Sequence, residues 1–117
     1  MGRLSTHVLD TAAGRPAEGV AVELFSITPD GLRARVARAL TNADGRTAAP
    51  LLQGADWRPG EYELHFHIGA YYKAQGAPGA GEFLDVVPLR VTLRGADGHY
   101  HVPLLCTPWS YSTYRGS

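Results

Sequence analysis

An all-β sandwich is the fold class this sequence predicts, and three observations predict it. The chain divides into about eight short runs in which apolar and polar side chains alternate, the period-two pattern of half-buried strands. Turns recur about every ten residues along the chain, the spacing of a sandwich, and among them are Gly14-Arg15-Pro16, Pro29-Asp30-Gly31, Asn42-Ala43-Asp44-Gly45 and Asp97-Gly98. Helix formers cluster in only one stretch, Gly69 to Gly76, so two turns of helix at most are expected there.

Composition narrows the class further. The 117 residues suit one domain, residues 1–117, and 44% hydrophobic residues supply a modest core. Eleven basic residues balance eleven acidic ones, so no overall field draws nucleic acid or an anionic membrane, and neither is expected as a partner. The single cysteine, Cys106, cannot form an internal disulfide and lies in an apolar run where a buried thiol is the ordinary outcome. That usage suits a reducing compartment. The N-terminal stretch has no apolar signal region, and no apolar run approaches the roughly 18 residues of a membrane span. A cytoplasmic location is the expectation.

The elements follow in order. Leu4 to Thr11 reads as a strand with Ser5, His7 and Leu9 on one face. Val20 to Ile27 is the next, with Val20, Val22 and Leu24 alternating against Glu23 and Phe25, and a Pro-Asp-Gly turn leads into Leu32 to Thr41. Arg33, Arg35 and Arg38 punctuate that returning run, with a slip at Val36-Ala37, and alternating arginine and aliphatic residues describe the wet face of an antiparallel strand. Arg46 leaves the Asp44-Gly45 turn directly, where a solvated charge is ordinary. Pro50, Gly54 and Pro59 limit Ala48 to Pro59 to a short strand and loop.

Glu61 to Ile68 alternates again, placing Tyr62, Leu64, Phe66 and Ile68 inward and His65 and His67 outward. Gly76 suits the left-handed close of the short helix that follows. Leu84 to Arg94 is a strand in which Pro88 argues for an edge position or a bulge. His65-x-His67 and His99-x-His101 share one spacing, but a zinc site needs further converging ligands and neither pair has a cysteine partner, so no metal is expected.

His99 to Cys106 and Ser110 to Tyr114 form two extended runs around a corner at Thr107-Pro108, because proline interrupts a ladder while β-branched and aromatic neighbours favour pleated backbone. Alternation puts His101, Pro103 and Leu105 on one face of the first run and Ser110, Ser112 and Tyr114 on one face of the second. A histidine and hydroxyls on one surface suggest a site, with Arg115 and the chain end expected beside it.

These residues also carry a resemblance. His-Tyr-His-Val-Pro-Leu-Leu from His99, then Ser112-Thr113 and Tyr114-Arg115-Gly116-Ser117, resembles the C-terminus of the transthyretin-related 5-hydroxyisourate hydrolases. Ser5-Thr6-His7-Val8-Leu9-Asp10 and Thr41-Asn42-Ala43-Asp44-Gly45-Arg46 extend the match over nearly the whole chain. One departure lies at the corner: many family members carry Ser-Pro-Tyr-Gly-Tyr where this chain has Thr107-Pro108-Trp109-Ser110-Tyr111, a difference that bears on assembly.

The resemblance implies a transthyretin-like β-sandwich of two antiparallel sheets with one short helix. It implies a homotetramer around a central channel, with sites at the dimer–dimer interface. The implied reaction opens the six-membered ring of 5-hydroxyisourate in urate degradation, giving 2-oxo-4-hydroxy-4-carboxy-5-ureidoimidazoline, by water attack on a ring carbonyl without cofactor or metal. In this reading His7 and His101 move the proton, Arg46 binds substrate and offsets developing charge, and Ser112, Tyr114 and Arg115 line the pocket. A carrier of a small hydrophobic ligand in the channel is the alternative, which two imidazoles and a guanidinium argue against.

Overall fold

The computed structural model describes residues 1–117. Its strands are β1 (Arg3–Asp10), β2 (Arg15–Pro16), β3 (Ala21–Ile27), β4 (Arg33–Leu40), β5 (Leu52–Gln53), β6 (Gly60–His67), β7 (Val86–Leu93), β8 (His99–Cys106) and β9 (Tyr111–Thr113). One helix, α1 (Ile68–Ala74), follows β6, and a single 3-10 turn covers Gly54–Asp56. One sheet runs β2-β1-β8-β9 with β5 also against β1; the other runs β4-β3-β6-β7. Pro88 sits where the sequence predicts, on an edge strand, since β7 has β6 alone as neighbour. The slip in β4 is a bulge: Ala37 pairs with Leu24 and Arg35 with Phe25, leaving Val36 as the extra residue.

The expectation of two purely antiparallel sheets needs correction. β1 pairs β8 in parallel over their full lengths, from Arg3 with His99 to Asp10 with Cys106. A parallel pair needs a long crossover. Here nearly the whole chain intervenes between β1 and β8, so the constraint is met.

The two sheets enclose one core. Leu4 and Val8 from β1 and Leu104 and Cys106 from β8 meet Val22, Leu24, Leu64 and Phe66 from the facing sheet, all fully buried. Alternation then turns Ser5, His7, His101 and Leu105 to the outer face of the first sheet, where they are half-buried. α1 closes one end of the sandwich through Tyr71 and Tyr72, whose hydroxyls donate to the buried carboxylate of Asp10 at 2.8 and 3.0 Å. Asp10 also accepts from the backbone of Ala12 and Ala13, so its charge is met by four donors. Burial, with Asp10 beside it, pushes Tyr71 up to about 12, and burial pushes the Cys106 thiol up to about 11. These hydroxyls stay protonated and hold the helix to the ends of β1 and β8.

Candidate active site

β1 is the spine of the site. β8 lies along one side of it, and the turn from Asn42 to Arg46 lies along the other. The parallel register sets Ser5 directly opposite His101 and His7 opposite Pro103. On the other side, a single antiparallel bridge sets Arg46 against His7. The turn is built for that approach: the Asn42 side chain accepts from the backbone N–H groups of Asp44 and Arg46 at 2.9 and 3.2 Å. Gly45 has φ +77°, and its carbonyl accepts from the Val8 N–H at 2.8 Å. A Cβ there would stand 2.3 Å from the Val8 carbonyl oxygen, so only glycine lets the turn reach β1.

Two imidazoles result, with centroids 6.5 Å apart and planes tilted by 39°. Their anchors differ. His7 Nε2 lies 2.7 Å from the Asp44 carbonyl oxygen. A carbonyl only accepts, so Nε2 carries a proton, and in the neutral ring the lone pair is on Nδ1. His101 Nδ1 lies 2.9 Å from Ser5 Oγ, a group able to donate or accept. Burial first, then the charge of Arg46 and the proximity of His7, hold His101 below the usual histidine range. It is therefore a neutral imidazole near neutral pH.

A hollow of about 410 Å³ opens beside these groups, lined by Arg3, Ser5, Arg46, His99, Tyr100, His101 and Ser117. A smaller one of about 240 Å³ shares Arg3, Ser5 and Arg46. The chain end reaches this place through a bridge in which the Gly116 N–H donates to the His101 carbonyl at 2.7 Å. A Cβ on Gly116 would lie 2.7 Å from the His101 ring, so glycine is what allows the chain to close over the imidazole.

Of the residues singled out from sequence, the structure brings His7, Arg46 and His101 together. It does not bring the other three to the same hollow within one protomer. Ser112 pairs with Leu105, four residues along β8 from His101, about 13 Å away at ~3.3 Å per residue. Tyr114 is exposed and lines a separate hollow of about 400 Å³ shared with β7. Arg115 lays its guanidinium 4.1 Å from the centre of the Tyr100 ring and donates to the His99 carbonyl at 3.2 Å. The physical reason is parity: with Gly116 against His101, Arg115 falls on the opposite side of the extended chain. Arg115 braces the chain end in this protomer.

Sequence reasoning missed Arg3 and Ser5 as neighbours of the imidazoles, whereas Ser117 stands beside His101 as expected of the chain end. Ser5 had one visible signal, its shared face with His7, but its partner across β8 was not visible. The other histidine pair is occupied differently: His65 and His67 hydrogen-bond the carboxylates of Glu63 and Glu23 at 2.7 and 2.6 Å. No group of three or more histidine, cysteine or acidic side chains converges as metal ligands would.

Comparison with known proteins finds relatives over nearly the whole chain. The model of the HIUase/Transthyretin family matches residues 4–116. A 5-hydroxyisourate hydrolase from Deinococcus radiodurans is 56% identical over 114 residues, covering 97% of this chain and 95% of its own. The structure of Klebsiella pneumoniae 5-hydroxyisourate hydrolase superposes with a TM-score of 0.81 at 35% identity, covering all of both chains. The crystal structure of (S)-allantoin synthase superposes with a TM-score of 0.92 at 44% identity, covering 99% of this chain and 44% of that longer one. With a family model spanning almost its whole length and a relative more than half identical to it, this chain belongs to the HIUase/Transthyretin family.

Proposed function

We propose that this chain is an enzyme that hydrolyses 5-hydroxyisourate, opening the six-membered ring by attack of water on a ring carbonyl. The observation that carries the reading is the pair of differently anchored imidazoles beside Arg46, with Arg46 and His101 lining one hollow. Relatives named 5-hydroxyisourate hydrolase support it. A carrier of hydrophobic ligands fits less well, because Tyr100 is the only hydrophobic residue in the lining of that hollow.

The chemistry follows from the atoms. Every buried side-chain nitrogen and oxygen has a partner, so the unpartnered His7 Nδ1 and His101 Nε2 are open to solvent and substrate. A neutral imidazole takes a proton from water as its oxygen bonds to the ring carbonyl carbon, and the carbonyl oxygen becomes an oxyanion. Arg46 presents paired N–H donors to that charge, a stabilisation greater in the transition state than in the ground state. The ring C–N bond then breaks, and the nitrogen takes the proton back from an imidazolium. Arg3 adds a second cation to the rim, which suits an oxygen-rich heterocycle.

The working unit in this reading is a homotetramer with sites at the dimer–dimer interface. The half-buried outer face of the first sheet and the exposed Trp109 and Tyr114 beside it supply surface for a neighbouring copy. Tyr114 and Ser112 then complete a site across the subunit boundary. One domain, residues 1–117, carries the activity, in the cytoplasm and within urate degradation, without cofactor or metal. The test is direct: freshly made 5-hydroxyisourate is mixed with the protein and its ultraviolet absorbance followed. Loss well above the spontaneous rate is expected; loss at the spontaneous rate would reject the enzyme reading.

A further inference from the structure

We propose that Ser5 is the positioning residue of the site: it commits Nδ1 of His101 to a hydroxyl in every protonation state and leaves Nε2 as the atom that exchanges protons with the reaction. The inference rests on the hydrolase reading for its effect on rate, but its structural half stands alone.

The argument starts from the contrast between the two anchors. The Asp44 carbonyl can only accept, so neutral His7 has one tautomer available while that bond lasts. Ser5 Oγ is different, because a hydroxyl both donates and accepts and its hydrogen rotates. At 2.9 Å it holds Nδ1 whether the nitrogen carries a proton or a lone pair. When Nδ1–H donates to Ser5, Nε2 has a lone pair for a proton from water; when Ser5 donates to Nδ1, neutral His101 offers an Nε2–H. Proton uptake at Nε2 and its return therefore occur without release of the ring, and no proton is lost or gained by Ser5 itself.

The fold makes this contact rigid. Ser5 and His101 are directly opposed in the parallel β1–β8 ladder, and both are half-buried. Thr6 and Val102 lock the next rung from the core side, the Thr6 hydroxyl donating to the Val102 carbonyl at 2.7 Å. Gly116 then packs against the far edge of the ring. The ring is held at Nδ1, closed over by the chain end, and open at Nε2. Such hydrogen-bonding supports set the tautomer and orientation of functional histidines generally.

Ser5→Ala removes the hydroxyl, and Ser5→Thr keeps it on a side chain suited to a strand. The ring nitrogens of His101 are followed by long-range 1H–15N correlation from pH 8 to about 5, spanning the reference histidine pKa. Turnover of 5-hydroxyisourate is measured over the same range. The surrounding groups that carry or change charge are His7 and Arg3 on β1, Arg46 on the turn, and His99 on β8, all unaltered in both variants. In Ser5→Ala the His101 nitrogen shifts should move as the tautomer balance changes, and kcat should fall about tenfold, the weight of one hydrogen bond. KM should stay within about twofold of wild type, because a ring held through another residue affects the proton step more than substrate binding. Ser5→Thr should recover most of the rate and the wild-type shifts.

Unchanged His101 shifts in Ser5→Ala would overturn the proposal, as would equal loss of kcat in both variants, which would make the site one of packing. A wild-type protein that does not accelerate hydrolysis rejects the enzyme reading instead, and the nitrogen shifts still decide whether Ser5 sets the His101 ring.

Discussion

The outer faces of the two sheets each carry a pair of histidines and put them to opposite use. On the second sheet, His65 and His67 of β6 each meet a carboxylate, Glu63 and Glu23, and the pairs extend to Arg33, Arg90 and Arg35. Phe25 packs against the His65 ring at 4.6 Å, so that imidazole is enclosed as well as paired. On the first sheet, His101 of β8 and His7 of β1 meet no carboxylate. Their partners are a hydroxyl and a backbone carbonyl, and each ring leaves one nitrogen open. A histidine whose ring nitrogen is bonded to a carboxylate has that nitrogen committed to structure. His101, held by a hydroxyl near Arg46, stays uncharged near neutral pH and keeps a lone pair. Residue type does not separate the two pairs; their neighbours do.

Substituting across that divide gives the largest expected effect. His7→Ala and His101→Ala should each lower turnover of 5-hydroxyisourate at least about 100-fold, the lower range for general acid–base catalysis. His65→Ala and His67→Ala should leave kcat within about twofold, since both rings lie on the other sheet, bonded to Glu63 and Glu23. Steady-state kinetics on the four variants checks this, and comparable losses on both faces would erase the distinction. Gel filtration should show the same assembly for all four.

Arg46→Lys sharpens the comparison from the charge side. Lysine keeps the cation near His101 but loses the planar fork, so kcat/KM should fall about tenfold or more while His101 remains depressed in pKa. Arg33→Lys on the other sheet, where the guanidinium is half exposed and pairs with Glu63, should have no effect on rate. Kinetics with a His101 nitrogen titration reads both, and an upward shift of His101 toward the ordinary range in Arg46→Lys would show that the fork, not the charge, acts on the ring.

The smallest effect is on stability. The hydrogen bond from His65, then those from Arg90 and Arg33, holds Glu63 down to about 2 against an ordinary 4.5. A carboxyl depressed in the folded state stabilises it fully above the unfolded value, and that contribution is lost as pH falls from 4.5 toward 2. Glu63→Gln should therefore lower Tm by about 5 °C at neutral pH, with the gap to wild type closing in that acid window. Thermal unfolding by circular dichroism at several pH values checks it. A gap of constant size from pH 7 to about 2 would show that the loss is one of packing and not of charge.

Much of this was legible before the structure. Strand positions, the bulge at Val36, the edge placement of Pro88 and the left-handed Gly76 after α1 all emerged from alternation and turn chemistry. The resemblance groups His7, Arg46 and His101; in the fold the His7 and His101 ring centroids lie 6.5 Å apart, Arg46 bridges to His7, and Arg46 and His101 line one hollow. Asp10 was not recognised, because a carboxylate at a strand end looks like a solvated turn residue until Tyr71 and Tyr72 fold over it. Arg115 was placed beside His101 by closeness along the chain, whereas the alternation of an extended end turns it onto Tyr100.

Side-chain parity is a local property with a period of two, so the residues by themselves determined which of them face the core and which face out. They thereby determined that Ser5, His7 and His101 lie on outward faces. Strand partnership is not local. Only the tertiary structure decided that β1 runs parallel to β8 with Ser5 opposite His101, and that the Gly45 turn packs edge-on to deliver Arg46 to His7. Each of those contacts joins segments dozens of residues apart, 96 in the case of Ser5 and His101. The free energy that selects them comes from the whole buried core between the sheets and not from any stretch of sequence that could be read alone.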